Sequence, residues 1–305
     1  MKIGLTGAAG NAEGIIRQAE RAEADGFSSL WYPGQVLGDA LAAITLAGRA
    51  TSTIELGTAI VPTYLCHPVF QASRTAAAAM AIGASGRVTL GVGPSHAPVI
   101  EALGMSYATP GRHTEEYVQI VTQLLRGEAV KFSGDEFRVM AGPPTLVDGA
   151  PIPVLVSALA PRLLRVAGQY SDGTILWLGN AAAIERHVAP RMRKAAADAG
   201  RPEPRIVAGL PIAVHDDIAE ARAAAAEQFA VYATLPNYLR LLQEGGVAGP
   251  ADAAIVGDES SVAAQITELF DAGATDVWAA PFGVGDDASA SRARTRALLK
   301  ELAAG

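Results

Sequence analysis

The sequence predicts one (β/α)8 barrel, an α/β fold that takes in residues 1–305 as a single domain, with a helix and hairpin inserted after the fourth strand. Three observations predict it. Short β-branched runs alternate with Ala-rich stretches of helical period, the pattern of parallel strands joined by crossover helices. Eight such strands can be counted, the number that closes a barrel. The 305 residues are half hydrophobic and only 18% charged, enough to fill one large core.

Taken in order, Ile3 to Thr6 reads as the first strand and Ala12 to Asp25 as its helix, with Asn11 as N-cap, Ile15, Ala19 and Ala22 on one face and Gly26 as terminator. Ser28 to Tyr32 is the second strand, Ala40 to Arg49 its helix, Ile54 to Val61 the third strand, Val69 to Ala81 its helix, and Val88 to Val92 the fourth strand. The rhythm then changes. A helix over Glu115 to Arg126, with Val118, Val121 and Leu125 at helical spacing, precedes two alternating runs, Ala129 to Phe132 and Glu136 to Val139, across Ser133, Gly134 and Asp135. Alternation resumes with strand Val154 to Val156, helix Arg162 to Gln169, strand Thr174 to Trp177 and helix Ile184 to Ala199. Strand Ile206 to Val214 and a long helix Ile218 to Leu242 follow. The Gly- and Pro-rich loop Gly245 to Ala253 is expected to cover a barrel mouth or pack at an edge. Helix Val262 to Ala272, strand Asp276 to Ala280 and a helix from Ser289 complete the chain.

Composition excludes several classes of function. A net charge of −7 without a Lys/Arg run argues against nucleic acid as a partner. MKIGLT opens directly into a strand with no signal-peptide pattern, and no apolar run spans a bilayer, so a cytoplasmic protein with no membrane partner is expected. Cys66 is the sole cysteine, which rules out an internal disulfide or thiolate cage, and the five histidines lack metalloenzyme spacing; no metal is expected.

The stretch TGAAGNAEG, Thr6 to Gly14, has the look of a dinucleotide-binding turn. Position 13, however, is Glu13 rather than glycine, and the second strand ends in Trp31 and Tyr32 without an acid for the ribose, so it reads as a tight βα turn. The third strand leads through LGTAIVP into Tyr64, His67 and Pro68, and the fourth ends in GVGPSH, which sets His96 at the C-terminal rim where barrel enzymes keep their sites. His67 reads as a residue fixing the loop before a helix, and His113 as part of a helix N-terminus. Trp177 and Trp278 end strands and suit either the pocket or the barrel core. After the fifth strand, Ser157 and Ala158 lead to a helix start at Pro161, whose free N–H groups suit a phosphate, with Arg162 and Arg165 nearby.

These pieces, in this order over nearly the whole chain, closely resemble the luciferase-like monooxygenase superfamily, in particular its deazaflavin-dependent branch. The motifs that carry the resemblance are Gly57-Thr58-Ala59-Ile60, RVTLGVG from Arg87 to Gly93, the segment Arg112 to Gly134, and APRLLRVAGQYSDG from Ala160 to Gly173. The resemblance implies coenzyme F-420 as cofactor, with FMN as the alternative. It implies a non-prolyl cis peptide at Ala59-Ile60 beneath the ring, Gly93, Pro94, Ser95 and His96 bordering the ring or its side chain, and Ser157, Ala158 and Leu159 at the phosphate. Thr58 and Arg162 complete the implied cofactor set, and a homodimer is the implied assembly.

The sugar-phosphate dehydrogenases of the family carry an acid and a histidine beyond strand two, where this chain reads WYPGQ, Trp31 to Gln35. Tyr32, Gln35, Tyr64 and His96 are the polar groups left, which suits hydride transfer to an activated C=C or C=N bond of a small organic substrate, with His96 or Tyr32 supplying the proton. Two alternatives stand beside it: an FMN monooxygenase working with a separate reductase, and a flavin-binding protein without turnover.

Overall fold

Why the ring closes is visible in the strand pairing of the computed structural model, which describes residues 1–8, 10–34 and 38–305, with Ser85 described by its backbone alone. Strand β1 (Ile3–Thr6) pairs in parallel with β2 (Ser29–Tyr32), and β2 with β3 (Glu55–Thr58). A two-residue β4 (Val61–Pro62) follows, and both β3 and β4 pair with β5 (Val88–Gly93). Beyond β5 lies an antiparallel hairpin of β6 (Val130–Ser133) and β7 (Arg138–Ala141), outside the barrel. The ring continues through β8 (Val154–Val156), β9 (Gly173–Trp177) and β10 (Arg205–Val214). After a short β11 (Ile255–Gly257), β12 (Asp276–Pro281) pairs with both β10 and β1 and completes eight parallel strands.

Side chains alternate across this wall. Ile3, Leu5, Leu30 and Tyr32 face the helices in the main core, while Trp31, Leu155, Ile175, Val207 and Trp278 fill the bore. Two glycines make room for the indoles. A Cβ at Gly57 would lie 2.2 Å from the Trp31 ring, and one at Gly209 would lie 2.2 Å from the Trp278 ring. The end of the bore away from the site is plugged by Arg205, which bridges Glu55 (2.6 and 2.8 Å) and Asp276 (2.6 and 2.9 Å) and lies 5.5 Å from the Trp31 ring. The carboxylates raise its already high pKa against the cost of burial.

Several sequence expectations need revision. The third strand is not continuous over Ile54 to Val61 but breaks between Thr58 and Val61. The helix Pro110–Leu125 is longer than the expected Glu115 to Arg126. It packs against helices Pro68–Ile82 and Pro161–Tyr170 as an ordinary crossover helix, which leaves the hairpin as the insertion proper. Its N-cap is Thr109, and His113, one turn inside, stacks on Tyr64 at 3.9 Å instead of capping. Ile218 to Leu242 is interrupted: helix Ile218–Gln228, a 3-10 turn Ala230–Thr234, then helix Pro236–Glu244. The loop Gly245 to Ala253 ends in a short helix, Pro250–Ala253, that packs against helix Ile218–Gln228, and β11 follows it at the edge of β10. Asn11 and His67 do cap their helices, accepting from the N–H of Gly14 and of Val69.

Candidate active site at the barrel mouth

The break in the third strand builds the floor of the site. The ladder between β3 and β5 stops after Gly57, and the Thr58 side chain takes over: its hydroxyl donates to the Gly91 carbonyl (2.7 Å) and accepts from the Gly91 N–H (2.8 Å). Relieved of pairing, the next peptide, Ala59-Ile60, bulges toward the mouth in the cis form, and pairing resumes at Val61. Gly91 has to be glycine, because a Cβ there would lie 2.0 Å from the Thr58 carbonyl oxygen.

Above this bulge opens a cavity of about 630 Å³ at the C-terminal rim, a volume suited to a cofactor with a small substrate. Ala59, Ile60, Ile175 and Trp278 form its apolar floor, and Ser95, His96 and Ser157 stand on one side. Beside it a second, narrower cavity of about 80 Å³, a slot, is lined by Gly93, Pro94, Ser157, Leu159 and Ala160. There the helix Pro161–Tyr170 begins with no side-chain cap, so its first N–H groups are free for an anion. Ser95 holds a left-handed φ of 62°, and its carbonyl accepts from the Tyr107 hydroxyl at 2.8 Å.

His96 lies in the walls of both spaces, at the start of helix Ala97–Ala102, with its ring 5.8 Å from that of Tyr238. Burial lowers its pKa below the ordinary histidine value. From Tyr238 the lining continues as aromatic rings: Tyr232 packs 4.8 Å from Tyr238, and Trp177 lies 5.2 Å from Trp278 and 5.9 Å from Phe229. The Trp278 N–H donates to Thr6 (2.7 Å), whereas the buried Trp177 N–H has no partner among the described residues.

The structure thus gathers His96, Ala59, Ile60, Gly93, Pro94, Ser95, Ser157 and Leu159 around two neighbouring cavities that share Ile60, Ser95, His96 and Ser157. Four other expectations are corrected. Tyr32 is wholly buried and faces the helices, because its neighbour Trp31 takes the bore; its hydroxyl does not reach the cavity. Thr58 is likewise buried and is spent on Gly91. Ala158 has a buried side chain, with its N–H directed to the Thr174 hydroxyl at 3.4 Å. Arg162 turns away to Glu115 (2.9 and 3.1 Å), which also binds Arg165. Tyr64 lies in a separate cluster with His113 and Tyr107, and Gln35 lies outside the described residues.

Sequence reasoning missed Thr6, Gln18, Phe229, Tyr232, Tyr238, Arg292 and Arg296, all of which line the cavity. One signal was available for three of them: aromatic residues in an otherwise Ala-rich stretch, flanking the helix-breaking Pro236. Among the described residues no group of three or more His, Cys, Asp or Glu side chains is placed to hold a metal, and no helix is long and apolar enough to cross a membrane.

An eight-stranded parallel barrel with an aromatic cavity at its C-terminal rim, over a strand bulge, defines a (β/α)8-barrel protein. The chain belongs to the luciferase-like monooxygenase family, whose model matches residues 2–302. It is 27% identical over 215 residues to a 5,10-methylenetetrahydromethanopterin reductase of Methanolobus tindarius, covering 69% of this chain and 64% of that protein. It is 31% identical over 231 residues to an F420-dependent hydroxymycolic acid dehydrogenase of Mycobacterium tuberculosis, covering 69% and 61%. The matches therefore span a little under two thirds of these relatives. In fold it is similar to the coenzyme F420 dependent tetrahydromethanopterin reductase of Methanopyrus kandleri, with a TM-score of 0.78 at 21% identity over 98% of this chain and 96% of the other.

Proposed function

We propose that this protein is a coenzyme F-420-dependent oxidoreductase that transfers hydride between the cofactor and a small organic substrate, reducing an activated C=C or C=N bond. The observation that carries the reading is the Ala59-Ile60 bulge under an aromatic cavity, with a slot beside it at an uncapped helix start. That combination fits a planar ring with a phosphate-bearing tail. A Cβ at Gly93 would lie 2.9 Å from the Ser157 side chain and 3.3 Å from Ile60, so the slot stays open only with glycine there. Relatives bearing F420-dependent names support the choice of cofactor.

Ala59 and Ile60 would carry the ring, Gly93, Pro94 and Ser95 its linker, and Ser157, Leu159 and the N–H groups of the helix Pro161–Tyr170 its phosphate. When bound, the deazaflavin supplies hydride at C5 and, lacking N5, does not activate oxygen. Trp177, Phe229 and Tyr232 exclude water from the reacting bond. His96 would supply the proton that accompanies the hydride: burial disfavours its charged form, so the imidazolium, once formed, gives the proton up readily.

Titration of the purified protein with oxidised coenzyme F-420 and, in parallel, FMN, followed by quenching of cofactor fluorescence, tests this. Tight binding of the deazaflavin and weak binding of FMN are expected. Preference for FMN overturns the reading in favour of a monooxygenase served by a separate reductase, and binding of neither removes the cofactor assignment.

We also infer a homodimer. Leu65, Phe70, Met80 and Met140 are exposed on and around helix Pro68–Ile82 and the hairpin, an apolar surface suited to a second copy. Light scattering at micromolar concentration should give twice the 31.3 kDa chain mass; a monomer mass would refute this.

A further inference from the structure

The charge on the cavity wall is one-sided. Arg292 and Arg296 line it, and among the described residues no Asp or Glu does, although the chain carries a net charge of −7. The two arginines differ. Arg296 is committed to Asp25 at 2.9 and 3.2 Å and lies over the Phe27 ring at 5.0 Å. Arg292, in the first turns of helix Ala288–Ala304 after β12, has no ion pair or hydrogen bond among the described residues. Its guanidinium packs beside Gly283, where an added Cβ would lie 2.7 Å from Nη1, so the backbone leaves it space. In the same wall stands the buried, unpartnered N–H of Trp177.

Neither arginine borders the slot beside Ser157 and Leu159. That slot follows β8, whereas Arg292 follows β12, three strands further around an eight-strand ring. An anionic cofactor tail in the slot therefore leaves Arg292 unmatched.

We propose that Arg292 determines specificity by binding an oxyanion of the substrate, so that the substrate is an acid with an apolar or aromatic body whose charged end points to the β12 side of the mouth. Its apolar body packs on Trp177 and Phe282, and the charge-assisted contact fixes which bond lies above the Ala59-Ile60 bulge. The orientation rests on the proposed cofactor site; the anion contact does not.

The test uses two fluorescent probes, 8-anilinonaphthalene-1-sulfonate and its uncharged relative N-phenyl-1-naphthylamine, titrated into the full chain. Arg292→Gln should weaken the sulfonate about tenfold, and Arg292→Lys by less than about threefold, since one charge-assisted contact is lost or kept. Binding of the neutral dye and of coenzyme F-420 should be unchanged, as should sulfonate binding by Arg138→Gln, at the exposed groove near Met140. Unchanged sulfonate affinity in Arg292→Gln overturns the proposal, as does an equal loss for the neutral dye or the coenzyme, or a loss confined to Arg138→Gln. Failure of the natural protein to bind F-420 would count against the cofactor reading alone and leave the comparison of dyes intact.

Discussion

At His96, two features meet in one side chain: contact with both the main cavity and its slot, and a proton affinity lowered by burial. If the imidazole moves a proton, His96→Ala should lower turnover about 100-fold while F-420 affinity changes by less than about threefold. Equal losses in turnover and affinity would make it a binding residue only. His96 was legible because a histidine directly after a Gly-rich strand end can only lie at the rim. Tyr32 was not, since the choice between it and Trp31 for the bore depends on how the strand faces Gly57, whose missing side chain admits an indole. Arg162 misled for a related reason. A guanidinium beside a helix start looks like an anion ligand until the partner helix is known, and that helix brings Glu115 to within 2.9 Å.

Elements with strong periodicity were legible almost to the residue. The run from Ile206 to Val214 lies within β10, and Val154 to Val156 is β8, because β-branched runs bounded by Pro or Gly have few alternatives to a buried parallel strand. Breaks within elements were not. Periodicity in Ile54 to Val61 does not mark the point where a side chain replaces the ladder, since Thr58 is as good a strand residue as its neighbours and its partner Gly91 is distant; only the family resemblance led to the cis peptide that the structure has at Ala59-Ile60. In Ile218 to Leu242 the Ala-rich composition hid a bend that Pro236 announces, and three of the aromatic residues of the cavity come from that bend. Three-residue β11 is too short to carry any periodicity.

Across the whole molecule, chemistry and stability sit at opposite ends of the bore, with the bulge at one mouth and the Arg205 plug at the other. Arg205→Met should destabilise the barrel by about 3 kcal/mol in denaturant unfolding, because Glu55 and Asp276 would face each other without a counter-charge, and it should leave F-420 affinity intact. An unfolding midpoint equal to that of the natural protein would show the plug to be dispensable. The long strand β10 joins the two regions. Its first residues, Arg205 to Gly209, close the ring against β9, and its last, Ile212 to Val214, hold β11. The rim excursion that supplies Phe229, Tyr232 and Tyr238 thus hangs from a part of β10 that takes no bond from β9. Changes of length between Val214 and Ile255 would therefore alter the aromatic lining of the cavity without touching a residue of the seam with β9.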